Sequence, residues 1–105
     1  MSMKLIVAIV HRDDGDRLME ALIRAGYRAT RLSSTGGFLR EGSTTLLIGI
    51  DEERVPMVLD VIKANTTSHK QRTPSFLGIR RSRPGEVIFA AANVFVLDLP
   101  VFMRL

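Results

Sequence analysis

The chain has 105 residues and a mass of 11.7 kDa, which is enough for one domain with one core and too short for two. Apolar residues make up 46% of it and charged residues 25%, a globular composition that argues against wholesale disorder. The lack of cysteine excludes disulfides, thiolate metal sites and a cysteine nucleophile. The longest nearly uncharged apolar run, residues 87–97, is about half as long as a membrane helix, and the run at 5–10 is too short for a signal peptide. We therefore expect a cytoplasmic, single-domain protein spanning residues 1–105, with no membrane contact.

The net charge of +4 comes from one stretch of the chain, residues 66–85, which we call the basic segment. This segment holds five basic side chains and no acidic one, whereas the rest of the chain carries 10 basic and 11 acidic residues. Its prolines and glycines predict a mobile loop, which is either simply solvated or meets an anion. A protein that binds duplex nucleic acid more often spreads its charge along a helix or face, so we expect no duplex partner.

Apolar periodicity and turn signals predict the secondary structure. The predicted elements are a strand at 4–10, a helix that starts in the acidic turn 13–16 and ends at Gly26, strands at 27–32 and 44–50, a helix that opens at 51–53, and one long strand or two short ones within 86–99. Gly26 stands where a helix commonly ends with a left-handed residue. The buried stripe of the second helix comprises Val55, Val58, Leu59 and Ile62. The order β-α-β-β-α-β is the ferredoxin-like arrangement, an α+β fold.

The predicted strands are too apolar for a sheet with one solvated face. Two crossover helices cover one face of a four-stranded sheet, and the other face should then show alternating polar and apolar residues. The runs 5–10, 46–50 and 94–97 do not alternate in this way. Because so short a chain has nothing left to cover the second face, we predict an oligomer whose copies pack sheet against sheet.

The sequence offers little support for catalysis or for a metal site. His11 and His69 are far apart and fit no metal-ligand spacing, and the acids at 13–16 lack the closing glutamate of a calcium loop. The hydroxyls at 33–35 have no histidine base nearby. An acylphosphatase of this fold needs an arginine-bearing phosphate loop where three acids stand here, and an RNA-recognition fold needs aromatic residues on its central strands. We expect no enzyme, no metal and no cofactor.

One pair of residues on the second predicted strand suits a phosphate. Arg28 and Thr30 are two positions apart, so on a strand they share a face. They would place a planar charged donor beside a hydroxyl, a combination that binds phosphate oxygens well.

The glycine-bearing stretch that follows adds further candidates. Gly36 and Gly37 permit positive φ and a close approach of backbone N–H groups to a ligand, and Phe38 offers a ring on which a base stacks. The alternative is an ordinary hairpin, in which the glycines serve a turn while Phe38 and Leu39 pack into the core.

The run from Arg28 to Thr45 resembles the P-II-like cyclic di-AMP receptor proteins. With x for any residue, the matching pattern is R-A-T-x-L-x-x-T-G-G-F-L-x-x-G-x-T-T. The opening residues 3–10 and the closing residues 93–97 also fit, so the resemblance covers essentially the whole chain and is weakest in the basic segment.

The resemblance implies a homotrimer of ferredoxin-like subunits related to the nitrogen-regulatory P-II proteins. Such proteins bind cyclic di-AMP, a bacterial second messenger, in clefts between neighbouring subunits, and their loops reorder on binding. They act in signalling and not as enzymes; no motif here indicates a downstream partner protein. Carried over by position, Arg28 and Thr30 would contact the ligand from the second strand. Gly37, Phe38 and Leu39 would wrap an adenine.

The chain departs from the family's pattern at three places. The receptors usually carry asparagine where this chain has Gly26 and Ser43, so an amide that could read an adenine edge is absent at the first place and replaced by a shorter hydroxyl at the second. A glycine pair near the last strand is replaced by Ala91 and Ala92, which narrows access to the backbone. The alternatives are therefore a P-II-like binder of another anion such as ATP, and a related structural or metal-tolerance trimer with no nucleotide role.

Overall fold

The structure is a computed structural model that describes residues 2–32, 42–67, 69–72, 86–89 and 91–105. Its elements are β1 (Met3–His11), α1 (Arg12–Arg24), β2 (Thr30–Leu32), β3 (Ser43–Asp51), a 3-10 turn (Glu52–Arg54), α2 (Val55–Ala64), β4 (His69–Arg72), β5 (Glu86–Phe89) and β6 (Ala92–Leu99). Strands β1, β2, β3 and β6 with the two helices give the predicted ferredoxin-like order. Strands β4 and β5 form an additional antiparallel pair between α2 and β6.

The main sheet is antiparallel, with the strand order β2-β3-β1-β6. Strand β1 lies in the middle and pairs along its length with both neighbours, so that Met3 is opposite Asp51 of β3 and Leu99 of β6. The helices cover one face of β1 only, and that face needs no more than alternate apolar residues, so the continuous apolar run at the start of the sequence leaves the other face apolar as well. The predicted α+β, ferredoxin-like fold is confirmed.

The second strand is shorter than the sequence predicted. It begins at Thr30 and not at residue 27, because the chain is still completing the end of α1. The backbone N–H of Tyr27 donates to the carbonyl oxygen of Leu22 at 2.9 Å, and Gly26 between them has a φ of 90°. The left-handed residue predicted at Gly26 is confirmed, and the extent predicted for the strand is wrong.

The basic segment is not one continuous loop. Its residues His69–Arg72 form β4, which pairs with β5 just beyond the segment. The stretch 86–99 is two strands in different sheets, the second of the two predicted alternatives. Residues 73–85 lie outside the described part of the chain, so the mobility expected there stays a prediction.

Both helices begin slightly away from their predicted starts. Helix α1 starts at Arg12, before the acidic turn, because the Nδ1 atom of His11 accepts a hydrogen bond from the backbone N–H of Asp13 at 3.1 Å and caps the helix. Acidic residues at the opening of the second helical region form the 3-10 turn, and α2 proper begins at Val55 with Pro56 in its first turn.

The hydrophobic core lies between the helices and one face of the sheet. Alternate residues of β1 face it and are buried, as the pleat of a strand requires. The buried apolar residues are Ile6, Ala8, Val10, Leu18, Leu22, Leu46, Ile48, Ile50, Val58 and Ile62. Val55 and Leu59 pack against this cluster and are partly buried. The stripe predicted for the second helix is therefore confirmed.

The opposite face of the main sheet, which we call the outer face, is apolar as well. Its central residues are Leu5, Val7 and Ile9 of β1, Leu47 of β3, and Phe95 and Leu97 of β6. The side chains of Phe95 and Leu97 are 54% and 50% exposed in the single chain. The prediction that the strands are apolar on both sides is confirmed. The oligomer that we inferred from it stays a prediction.

Candidate functional site

The described part of the chain contains half of the predicted ligand contacts. These are Gly26, Arg28, Thr30 and Ser43. The remaining ones, Gly36, Gly37, Phe38 and Leu39, belong to residues 33–41, which lie outside the described residues. Their roles stay predictions.

Thr30 and Ser43 both lie on the outer face. Thr30 is the first residue of β2 and is paired with Leu47, which is itself an outer-face residue of β3. Ser43 precedes Leu47 by four positions on the same strand, so the alternation of the pleat puts it on the same side. Four residues of strand span about 13 Å. A ligand that meets both hydroxyls must therefore extend along the sheet.

Arg28 has a side chain that is free for a ligand as far as the described residues go. It is exposed, and no described residue forms a hydrogen bond or ion pair with it. The prediction that Arg28 lies on the same strand as Thr30 is wrong, since β2 begins at Thr30, but both residues are exposed while Tyr27 and Ala29 pack against the core. Arg28 instead stands two residues before the strand that carries Thr30.

The other arginine of this stretch, Arg31, has a structural role that sequence reasoning missed. It is paired with Leu46, a core residue, so its side chain points to the helix side of the sheet. There it forms an ion pair with Asp16 of α1. A Cβ placed on Gly15 would lie 2.7 Å from its Nη2 atom, so the guanidinium also covers the first turn of α1. The alternation of faces along a strand could have predicted this, because it puts Arg31 on the opposite side of the sheet from Thr30.

The start of β3 is also tied to the first turn of α1. The backbone N–H of Arg12 donates to the carbonyl oxygen of Gly42 at 2.9 Å. Gly42 has a φ of 84°, a conformation that side-chain-bearing residues rarely adopt, which accounts for glycine at this place of the family pattern. Ser43, the next residue, is opposite His11 in the ladder. Ser43 is thereby held against the junction of β1 and α1.

A buried carboxylate links α1 to the start of the basic segment. Asp14 is 3% exposed and accepts hydrogen bonds from Arg17 Nη2 at 2.8 Å, from the backbone N–H of Thr67 at 3.1 Å and from its hydroxyl at 3.4 Å. Arg17 also donates to the carbonyl oxygen of Asn65 at 3.2 Å. The sequence placed Asp14 in the acidic turn that opens α1, where the structure has it in the first turn after the N-cap His11. Asp14 thus joins the start of α1 to Thr67, in the segment that follows α2.

The positions at which the chain departs from the family pattern lie apart from one another. Gly26 is at the end of α1, and a Cβ built on it would meet no atom within 4 Å, although its φ of 90° strains any other residue. Asparagine is the residue that tolerates such a position best after glycine. Ala92 begins β6, opposite Val10 of β1, and both it and Ala91 are half-buried. The alanines lie on the other side of β1 from β3, the strand that carries Ser43.

One charge pair lies away from the predicted contacts, at the edge of the sheet. The ammonium of Lys4 on β1 forms a hydrogen-bonded ion pair with Asp98 on β6. This hydrogen bond, and then the charge of Asp98, hold the pKa of Lys4 above its ordinary value, and the same bond lowers the pKa of Asp98. The pair joins the side chains of β1 and β6.

Two negative findings concern the described residues alone. No group of three or more His, Asp or Glu side chains in the described part of the chain could hold a metal ion. Within the same residues, no helix is both long enough and apolar enough to cross a membrane.

Comparison with known proteins bears on the whole chain. It matches the model of a protein family described as cyclic-di-AMP receptor over residues 3–105. Its structure is similar to the crystal structure of a functionally unknown protein from Pediococcus pentosaceus ATCC 25745, with 40% sequence identity and a TM-score of 0.73. That match covers 100% of this chain and 99% of the other one. Both comparisons reach from β1 to the residues after β6.

Proposed function

Because the chain belongs to the cyclic-di-AMP receptor family, we propose that it binds cyclic di-AMP and acts as a signal-transduction protein, not as an enzyme. The observation that carries the proposal is the family match, since it runs over residues 3–105 and includes every predicted contact. The geometry supports it: Arg28 is an exposed guanidinium with no partner among the described residues, two positions before Thr30, whose hydroxyl is on the outer face. Guanidinium and hydroxyl groups together suit a phosphodiester.

The site we propose lies in clefts between the subunits of a homotrimer. The outer face carries the predicted contacts Thr30 and Ser43 and is also the apolar surface left uncovered by α1 and α2. Large apolar side chains such as Phe95 and Leu97, each about half exposed, favour burial against a second copy of the chain. Subunits that pack there would bring a neighbour's surface to the ligand contacts.

The contacts divide according to the chemistry of the ligand. Arg28 and Thr30 bind a phosphate, and Ser43 lies about 13 Å along the sheet. The backbone N–H groups of Gly36 and Gly37 approach the ligand, while Phe38 and Leu39 enclose an adenine. At Gly26 the backbone alone is available, since the residue has no side chain.

Calorimetric titration of the purified protein tests this proposal. Cyclic di-AMP is titrated alongside ATP, ADP and AMP, and light scattering coupled to size exclusion gives the mass of the particle. We expect saturable binding of cyclic di-AMP to a particle of three chains, and a ligand at 100 times its Kd to add about 2.7 kcal/mol of stability. Preferential binding of ATP would favour the second candidate, an anion binder marked by the loss of amides at Gly26 and Ser43. No binding by any of the four would refute a nucleotide role.

Signalling would require the ligand to change a surface that a partner protein reads. We propose that the basic segment and residues 33–41 provide this surface by reordering when cyclic di-AMP binds. Limited trypsin digestion measures it directly, because Arg80, Arg81 and Arg83 are cleavage sites. We expect these sites to be cut first in the free protein and more slowly with saturating ligand. Equal rates with and without ligand would contradict the reordering.

A further inference from the structure

The residues that follow β6 place an aromatic ring on the outer face. Phe102 lies over Gly49 of β3, and a Cβ built on that glycine would be 3.0, 3.3 and 3.6 Å from three carbons of the ring. The lack of a side chain at Gly49 is what permits the ring to approach the strand. The side chain of Phe102 nevertheless remains 47% exposed. One part of the ring therefore contacts the sheet, while another part is exposed in the single chain.

A positive charge accompanies this ring. The guanidinium carbon of Arg104 is 5.9 Å from the centroid of Phe102, within the range of a cation–π contact. Among the ion pairs of the described residues, none involves Arg104. An exposed ring with a guanidinium beside it is the combination that recognises a base and its neighbouring phosphate.

The ring and the charge lie toward the same end of the outer face as Arg28. Gly49 is two residues beyond Leu47, the partner of Thr30, and Arg28 is two residues before Thr30. Because β2 and β3 are antiparallel, Gly49 lies about 7 Å from Leu47 toward the end at which the chain enters β2, and Arg28 precedes the strand at that end. Phe102 thus extends the row of predicted contacts at the end opposite Ser43.

Cyclic di-AMP has two adenines and two phosphates, whereas the contacts proposed above include one aromatic ring, Phe38, and one guanidinium, Arg28. We infer that Phe102 stacks on the second adenine and that Arg104 binds the second phosphate. This inference rests on the proposed function. It assigns a binding role to the C-terminal residues, which would otherwise only cover the backbone of β3.

The chain contains no tryptophan, so the fluorescence of a single introduced tryptophan reports directly on the position of the ring. In Phe102→Trp, titration with cyclic di-AMP should change the emission in a saturable way, with the same Kd that calorimetry gives. The matched control is Ile23→Trp, whose position on α1 is 62% exposed and belongs to the helix side of the sheet. Its emission should stay constant during the same titration.

Two further variants separate stacking from packing. Phe102→Leu keeps an apolar side chain over Gly49 but removes the ring, and we expect cyclic di-AMP to bind about tenfold more weakly, or about 1.4 kcal/mol, at an unchanged Tm. Phe102→Tyr keeps an aromatic ring and should bind cyclic di-AMP with the affinity of the unaltered protein. Arg104→Gln should bind it about tenfold more weakly, as Phe102→Leu does. If the unaltered protein binds no cyclic di-AMP, the proposed function fails. If it binds, and Phe102→Leu either binds equally well or loses affinity together with Tm, this inference alone is overturned.

Discussion

Two arginines of one short stretch, Arg28 and Arg31, provide a matched test of the candidate site. Arg28 is exposed and has no partner among the described residues, whereas Arg31 pairs with Asp16 and covers Gly15 of α1. Replacing Arg28 by alanine should therefore leave stability unchanged and remove a charge-assisted bond to phosphate. Such bonds contribute about 1.5–3 kcal/mol, so we expect about ten- to a hundredfold weaker binding of cyclic di-AMP.

Replacing Arg31 by alanine should have the opposite effect. Its ion pair with Asp16 is largely solvent-accessible, and such pairs contribute about 0.2–1 kcal/mol. At about 5 °C per kcal/mol for a domain of this size, the Tm should fall by about 1–5 °C. The affinity of the folded protein should stay within twofold of the original value.

Calorimetry and thermal denaturation on the same preparations distinguish the two variants. The reasoning requires Arg28→Ala to change the affinity alone and Arg31→Ala to change the Tm alone. Arg28→Lys should have an affinity between those of the unaltered protein and Arg28→Ala, since it keeps the charge but loses the planar fork of donors. An unchanged affinity in Arg28→Ala, or a fall in its Tm as large as that of Arg31→Ala, would refute the assignment of Arg28 to the ligand.

Three other predictions follow from the structure. Asp14→Asn, which removes the buried charge that Arg17 and Thr67 share, should lower stability by about 1–3 kcal/mol in thermal denaturation; the exposed Asp13→Asn in the same turn should have little effect. Gly26→Asn combined with Ser43→Asn should tighten cyclic di-AMP binding in calorimetry, at the expense of some Tm because of the φ of 90° at Gly26; weaker or equal binding would mean that the cleft suits another ligand. The hydrogen bond from Lys4 holds the pKa of Asp98 below 3.8, so the pair stabilises the fold above that pH and this contribution is lost as the pH falls through the lowered pKa. The Tm of Asp98→Asn should thus lie below that of the unaltered protein near neutral pH and converge with it in acid; a constant difference at every pH would contradict this account.

Much of the fold could be predicted because it depends on the spacing of apolar residues. The stripe of α2 and the continuous apolar run of β1 reflect which side chains must leave water, and this pattern is local in sequence. The left-handed conformation of Gly26 could be predicted as well, since a helix that ends in a left-handed residue strongly favours glycine there. The same pattern indicated an outer face too apolar for solvent.

Residues whose roles depend on distant partners could not be read in this way. The sequence showed Asp14 only as one acid of the turn that opens α1, because its partner Thr67 is 53 positions away and only the packing of α1 against the exit of α2 brings them together. The strand character of His69–Arg72 depends on pairing with Glu86–Phe89 and not on local apolar periodicity. Phe102 was overlooked for a related reason, because its contact with Gly49 is visible only once the chain crosses the sheet.

The first turn of α1 touches three separate segments of the chain. Asp16 holds Arg31 of β2, the backbone N–H of Arg12 holds Gly42 at the start of β3, and Asp14 holds Thr67 at the exit of α2. One end of the basic segment and the residues around the connection 33–41 are therefore fastened to the same rigid unit. A displacement of this one turn would consequently act on both connections within a single subunit.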